Sequence, residues 1–398
     1  MRHSSLFQSF FLGGFECSTH RLRSGERRDL LRATNHDTFV LADYQRLREI
    51  GILSARDGLR WHLIETKPYH YDFSTVLLMV QAAQETGIQV IWDLFHYGWP
   101  EDLDIFQPEF VHRFRAFAAA FANVLANETD GVPFISPLNE ISYFSWAGGD
   151  AGYLNPFVFE RSYELKVQLA RAAIESIEAI WDVLPNARIV HADPVINVIA
   201  DPDRPEDQLA AEGYRLAQYQ AWDMIAGRRW PLLGGQEKYL DIIGVNYYDH
   251  NQWLYNGPVI DTNHALYRPL NHILAEVHAR YGRPLFVAET GVEGDLRAGW
   301  LHYICDEVHT AMQAGVPIEG ICLYPICDYP GWDDERCCHT GLWGYADEQG
   351  ERKLHQPLGA ALRRQQRFFG VAALQRTSEQ LVADLKKPLE EFVDSRPI

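Results

Sequence analysis

Two patterns of hydrophobic and polar positions repeat along this chain. Short, nearly continuous apolar runs end in polar or aromatic residues, and segments with apolar positions at helical spacing follow them. Eight such runs stand out: "FFLGGFEC" (10–17), "GILSARDGLRW" (51–61), "IQVIWDLFHY" (88–97), "VPFISPLNE" (132–140), "ARIVHADP" (187–194), "LDIIGVNYY" (240–248), "PLFVAETG" (284–291) and "IEGICLYPICD" (318–328). Between them, stretches such as "TFVLADYQRLREIG", "FVHRFRAFAAAFANVLANE", "SYELKVQLARAAIESIEAIW" and "LHYICDEVHTAMQAG" read as amphipathic helices. Strands that are apolar throughout and separated by helices predict a parallel sheet covered on both faces.

Eight strand–helix units predict a single (β/α)8 barrel of the α/β class over residues 1–370. An open, doubly wound sheet is the other arrangement of such units, but no Gly-rich phosphate loop follows any of the runs. The segment "RTSEQLVADLKKPLEEFVDSRPI" lies beyond the eighth unit and predicts a C-terminal helical extension over 371–398. The start, "MRHSSLFQSFFLGGFECS", has an apolar patch broken by Gln8 and Ser9, so it reads as a first strand rather than a signal peptide.

Composition narrows the function. With 47% hydrophobic and 23% charged residues among 398, the chain can bury a large core. A net charge of −18 argues against nucleic acid or an anionic membrane as partner, since both select basic surfaces. No apolar run approaches the roughly 18 residues of a membrane span. Six cysteines make no disulfide framework in a chain this long, which points to the cytoplasm and leaves the Asn127 sequon "NET" without meaning.

The predicted strand ends are rich in polar and aromatic residues, and in a (β/α)8 barrel those ends carry the active face. They hold Arg56, Asp57 and Arg60, then His96 and Trp99, then Asn139 and Glu140. Further along come His191 and Asp193, Asn246, Tyr247 and Tyr248, Glu289, and finally Tyr324, Asp328 and Trp332. Each alone has an ordinary structural reading: a core histidine, an Asp57–Arg60 ion pair, half-buried strand tyrosines. Two glutamates ending the fourth and seventh strands are a more specific signal. Retaining glycosidases use two carboxyl groups about 5–5.5 Å apart, one as nucleophile and one as acid/base. Arg56 and Tyr248 can keep Glu289 ionised, while the aromatic loop expected after Glu140, with Tyr143, Phe144 and Trp146, can keep the other carboxyl protonated.

These motifs resemble the family 1 glycoside hydrolases. "PLNEI" is similar to that family's acid/base motif, implying Asn139 on the sugar 2-hydroxyl and Glu140 as acid/base. "VAETG" is similar to its nucleophile motif, which falls on Glu289. "DLFHYGWPEDL" implies His96 near the 3-hydroxyl, "LDIIGVNYY" implies Asn246 and Tyr248 in the site, and "RDGLRW" implies Arg56 against the nucleophile. "GLWGYADEQGERK" resembles the segment after the eighth strand.

The departures concern sugar recognition. Where the family's first strand carries a glutamine, "FLGGFECSTHR" has Arg21, or His20 with a one-residue shift. In "YPICDYPGW" the family's leading tryptophan aligns with Tyr324 and its sugar-binding glutamate with Gly331, with Trp332 following. Asp333, Asp334 and Glu335 against one arginine disfavour a phosphorylated sugar, and a basic or otherwise substituted sugar, or an unusual aglycone, fits better.

The expectation is therefore a retaining hydrolase of a β-linked glycoside, with no cofactor and no metal. A non-catalytic carbohydrate- or partner-binding protein on an inherited barrel is the alternative. A metal-dependent hydrolase is a third class, with Cys337-Cys338-His339 and the "HADP" stretch as its candidates; neither supplies a paired ligand motif.

Overall fold

The structure is a computed structural model that describes residues 6–332, 334 and 336–370. The predicted helical extension over 371–398 lies outside the described residues, as do Asp333 and Glu335. Every apolar run singled out above contributes one strand to a closed parallel barrel. The strands are β1 (Phe11–Gly14), β2 (Ser54–Gly58), β3 (Gln89–Asp93), β4 (Phe134–Ser136), β5 (Arg188–Pro194), β6 (Ile242–Asn246), β7 (Leu285–Thr290) and β8 (Ile318–Leu323). Each pairs with the next in sequence, and β8 closes on β1 through Phe11 opposite Ile321. Nearly every strand residue is buried, as a sheet wrapped by helices outside and filled by side chains inside requires.

Two cores result. Inside the barrel, Phe7, Leu12, Ile91, Phe134, Ile242 and Phe286 pack together and close the N-terminal end. Outside it, the helices bury one stripe each. In α3 (Pro108–Glu128), Phe110, Phe114, Phe117 and Phe121 repeat at three- and four-residue spacing and all point inward. Burying each such ring contributes roughly 2–3 kcal/mol before entropy is counted. Counting α1 (His36–Glu49) and α2 (Ser74–Thr86) before it, the next two in order are α4 (Ile141–Gly149) and α5 (Ser162–Val183). No helix among the described residues is long and apolar enough to cross a membrane.

Two expectations change. The residues after Glu140 form a helix, α4, where an aromatic loop was expected, because Ile141, Phe144, Ser145 and Gly148 fall on one buried face. Asp57 and Arg60 do not pair with each other: Asp57 accepts from His36 and Tyr44, and Arg60 reaches Asp29 and Asp37.

Candidate active site

The strands' C-terminal ends open into a cleft of about 1170 Å³. Glu140 and Glu289 both line it, with Tyr248, Tyr324 and Trp332. Arg56, His96, Asn139 and Asn246 are buried beneath and join this group through hydrogen bonds. These nine residues thus converge on one region.

The two glutamates have different surroundings. Glu289, at the end of β7, accepts from Arg56 Nη1 at 2.6 Å and from the Tyr248 hydroxyl at 2.9 Å. The Arg56 guanidinium is fully buried on β2 and spreads across three further acceptors: Asp93 at 2.7 Å, the Asn139 carboxamide oxygen at 2.5 Å and the Ala288 carbonyl at 3.3 Å. Burial opposes that charge, but Asp93 and Glu289 hold it firmly protonated. Burial and the charges of Glu289 and Glu140 likewise keep the Tyr248 phenol protonated, so it donates.

Glu140 caps α4 with a left-handed backbone, φ 49°. Its Oε1 accepts from Asn246 Nδ2 at 2.8 Å and its Oε2 from the Tyr97 hydroxyl at 2.5 Å. Burial, followed by the charge of Glu289, drives its pKa well above the ordinary carboxylate value, against the pull of the Asn246 and Tyr97 hydrogen bonds. One carboxyl is therefore clamped by a cation, and the other is surrounded by neutral donors and held toward the protonated state. Asn139 ties the halves together: it accepts from Arg56 and its Nδ2 contacts His96 Nε2 at 3.0 Å and the Tyr97 hydroxyl at 3.2 Å.

Three buried side chains here were not picked from the sequence. Tyr97 has a left-handed backbone, φ 67°, which turns it toward Glu140 although it directly follows His96. Phe144, expected beside Glu140, instead stacks on the Tyr97 ring at 4.9 Å and fixes that phenol in place. Asp93, ending β3, supplies the second carboxylate on Arg56. Glu16, near the end of the first run, lines the cleft, whereas Arg21 and His20, which the resemblance put at the place of the family's glutamine, are not among its lining residues. Those two face elsewhere. Arg21 pairs with Glu101, and His20 contacts Ser18 Oγ and the Trp332 carbonyl, with burial lowering its pKa to about 4.

The metal candidates fare poorly. Cys337 is exposed while Cys338 is buried, and His339 contacts Asp328. His191 contacts the Tyr239 carbonyl, and Asp193 accepts from the Ser142 amide at the start of α4. Among the described residues only Cys17, Asp93 and His96 bring three ligand atoms within 4.8 Å of one another. Asp93 is already committed to Arg56, whose cation a metal would face, and burial followed by the Asp93 charge pushes the Cys17 thiol up. The donor set does not suit a metal ion.

No protein-family model and no curated protein matches the chain. The solved structures that resemble it include β-glucosidases of Thermotoga maritima. The complex with deoxynojirimycin superposes with a TM-score of 0.73 at 15% identity, covering 91% of this chain and 99% of that one. The complex with glucoimidazole gives 0.72 at 16%, covering 86% and 89%. A structure described as a family 1 β-glucosidase gives 0.70 at 16%, covering 86% and 88%. The chain therefore has the (β/α)8 fold of these glycosidases, at an identity that speaks to fold alone.

Proposed function

We propose that this protein is a retaining O-glycoside hydrolase acting on a β-linked glycoside, with Glu289 as nucleophile and Glu140 as acid/base. Glu289 attacks the anomeric carbon and forms the glycosyl ester, while the bond to the aglycone oxygen breaks and Glu140 gives its proton to that oxygen. Water then attacks the same carbon, Glu140 takes the proton back, and Glu289 leaves as the carboxylate. The asymmetry of the two carboxyls carries this reading: a buried arginine and a phenol donate to one, while burial and its neighbour's charge hold the proton on the other. Arg56 and Asn139 position the pair, with His96 bracing Asn139. The similarity in fold to proteins described as β-glucosidases supports the same class. Six cysteines, all free, fit a cytoplasmic location.

A second reading has one observation in its favour: Gly331 stands where the resemblance expects a sugar-binding glutamate. On that reading the barrel binds a carbohydrate without cleaving it. Dinitrophenyl β-glycosides of hexoses, pentoses, uronic acids and amino sugars, assayed with chelator beside Glu289→Gln, separate the two. Hydrolysis that disappears in the variant supports the glycosidase. A folded protein that binds but turns over none of them supports the binding protein.

A further inference from the structure

Glu16 is a buried carboxylate that the proposed chemistry does not use. It follows β1, is only 5% exposed, and lines the same cleft as Glu140 and Glu289. One of its oxygens, Oε1, accepts the Ser18 amide at 2.9 Å and lies 3.8 Å from His96 Nε2. The other, Oε2, has no hydrogen-bond partner among the described residues. That oxygen is open to the cleft, so a cationic donor on a ligand forms a charge-assisted hydrogen bond with it. The cleft's other charges select the sign of that donor. Its wall carries Asp150 and Asp249 as well as the two catalytic candidates, and Arg336 at the rim is already paired with Glu293. Lys166 is turned to the Gln220 side chain and the Ala217 carbonyl, and Arg56 is neutralised from below by Asp93.

From the free Glu16 oxygen in this acidic cleft we infer that the sugar unit carries a protonated amine on the ring position that meets the Glu16–His96 pair. This rests on the glycoside-hydrolase reading of the site. The ammonium donates to Glu16 Oε2 in a charge-assisted hydrogen bond, and Trp332 lines the same cleft. Burial, the largest influence on Glu16, raises its pKa, and a bound cation acts against that rise.

Calorimetry on the full-length protein at pH 7 tests this with methyl β-glycosides of 3-amino- and 4-amino-hexoses. Each is compared with its hydroxyl parent and with its N-acetyl derivative, which keeps the position substituted but removes the charge. One amino glycoside is expected to bind about 30-fold more tightly than both comparators. In Glu16→Gln that ratio falls to within about threefold. Amino glycosides that bind no better than their parents, or a ratio unchanged in Glu16→Gln, overturn the inference. Should Glu16→Gln fail to fold, the amino-to-N-acetyl ratio of the unaltered protein decides alone. Hydrolysis of neutral dinitrophenyl glycosides without any preference for the amine leaves the glycosidase reading standing and removes this one. Tight, Glu16-dependent amine binding with no hydrolysis of the matching dinitrophenyl glycoside does the reverse.

Discussion

The Tyr97 hydroxyl donates to Glu140 Oε2 at 2.5 Å and is itself contacted by Asn139 Nδ2 at 3.2 Å. This phenol links the carboxyl of Glu140, at the start of α4, to the carboxamide that also holds Arg56, so the acid/base candidate and the nucleophile candidate share one hydrogen-bond network. Its strength is that of a bond to a group able to carry charge, about 1.5–3 kcal/mol.

Tyr97→Phe removes a donor that favours the carboxylate form of Glu140. The Glu140 pKa is expected to rise further, moving the alkaline limb of the kcat/KM profile to higher pH. Activity on glycosides with poor leaving groups falls about 10-fold. A pH–rate series on both proteins checks this, and an unmoved limb contradicts the role given to Tyr97.

Glu140→Gln separates acid from nucleophile. Methyl and alkyl glycosides, whose departing oxygen needs a proton, are expected to lose about 10²–10⁴ in kcat/KM. Dinitrophenyl glycosides lose far less, and the alkaline limb disappears. Equal losses on both leaving-group types argue against Glu140 as the acid.

Gly14 ends β1 opposite Arg56, and a Cβ there would lie 2.1 Å from Tyr324 Cδ2. The Tyr324 ring sits 5.2 Å from the Arg56 guanidinium and lines the cleft. Gly14→Ala therefore displaces Tyr324 and disturbs the Arg56 anchor. Overpacking of this kind typically costs about 1–3 kcal/mol. Urea denaturation is expected to show that loss, and kcat/KM is expected to fall with it.

The network under β2 sets a pH dependence of stability. His36 is buried between Asp43 and Asp57, at 2.8 Å from each, and stacks on Phe15. Arg46 and Arg352 also reach Asp43, and the Tyr44 hydroxyl reaches Asp57. Burial alone would lower the histidine's pKa, but the two carboxylates outweigh it and raise the value from 6.5 to about 9. A raised folded-state pKa gives stability that is complete below the unfolded value near 6.5 and is lost as pH climbs through about 9. The contribution is on the order of 3 kcal/mol. Denaturation curves at pH 6 and pH 9.5 should show this loss in the unaltered protein and a much smaller one in His36→Gln.

Much of this arrangement was legible from the chain. The barrel followed from apolar runs that are buried on both faces, a signal strong enough to place a strand within all eight windows. The positions at strand ends were readable too: once Glu140 follows β4 and Glu289 lies at the end of β7, the closed topology brings Asn139, Arg56, Asn246 and Tyr248 to them. Residues in the turns just beyond the strands were not readable, because their direction depends on backbone conformation. Tyr97 follows His96 directly, and only its left-handed φ aims it at Glu140. Glu16 was missed because it lies just past β1, where the pattern does not set the direction of a side chain, and the resemblance pointed to Arg21 or His20 instead. The helical form of α4 was obscured by an aromatic cluster that reads as a loop until its buried face is traced through Ile141, Phe144 and Gly148.

The central claim is that Glu289 becomes covalently bonded to the sugar. Incubation with 2-deoxy-2-fluoro dinitrophenyl β-glycosides, extended to the amino sugars, followed by peptide mass spectrometry tests it most directly. The account predicts a mass increase of one fluorosugar on the peptide containing Glu289, absent in Glu289→Gln, with β-configured product from ordinary substrates by NMR. Turnover with inverted product, or an adduct on a different residue, would contradict it.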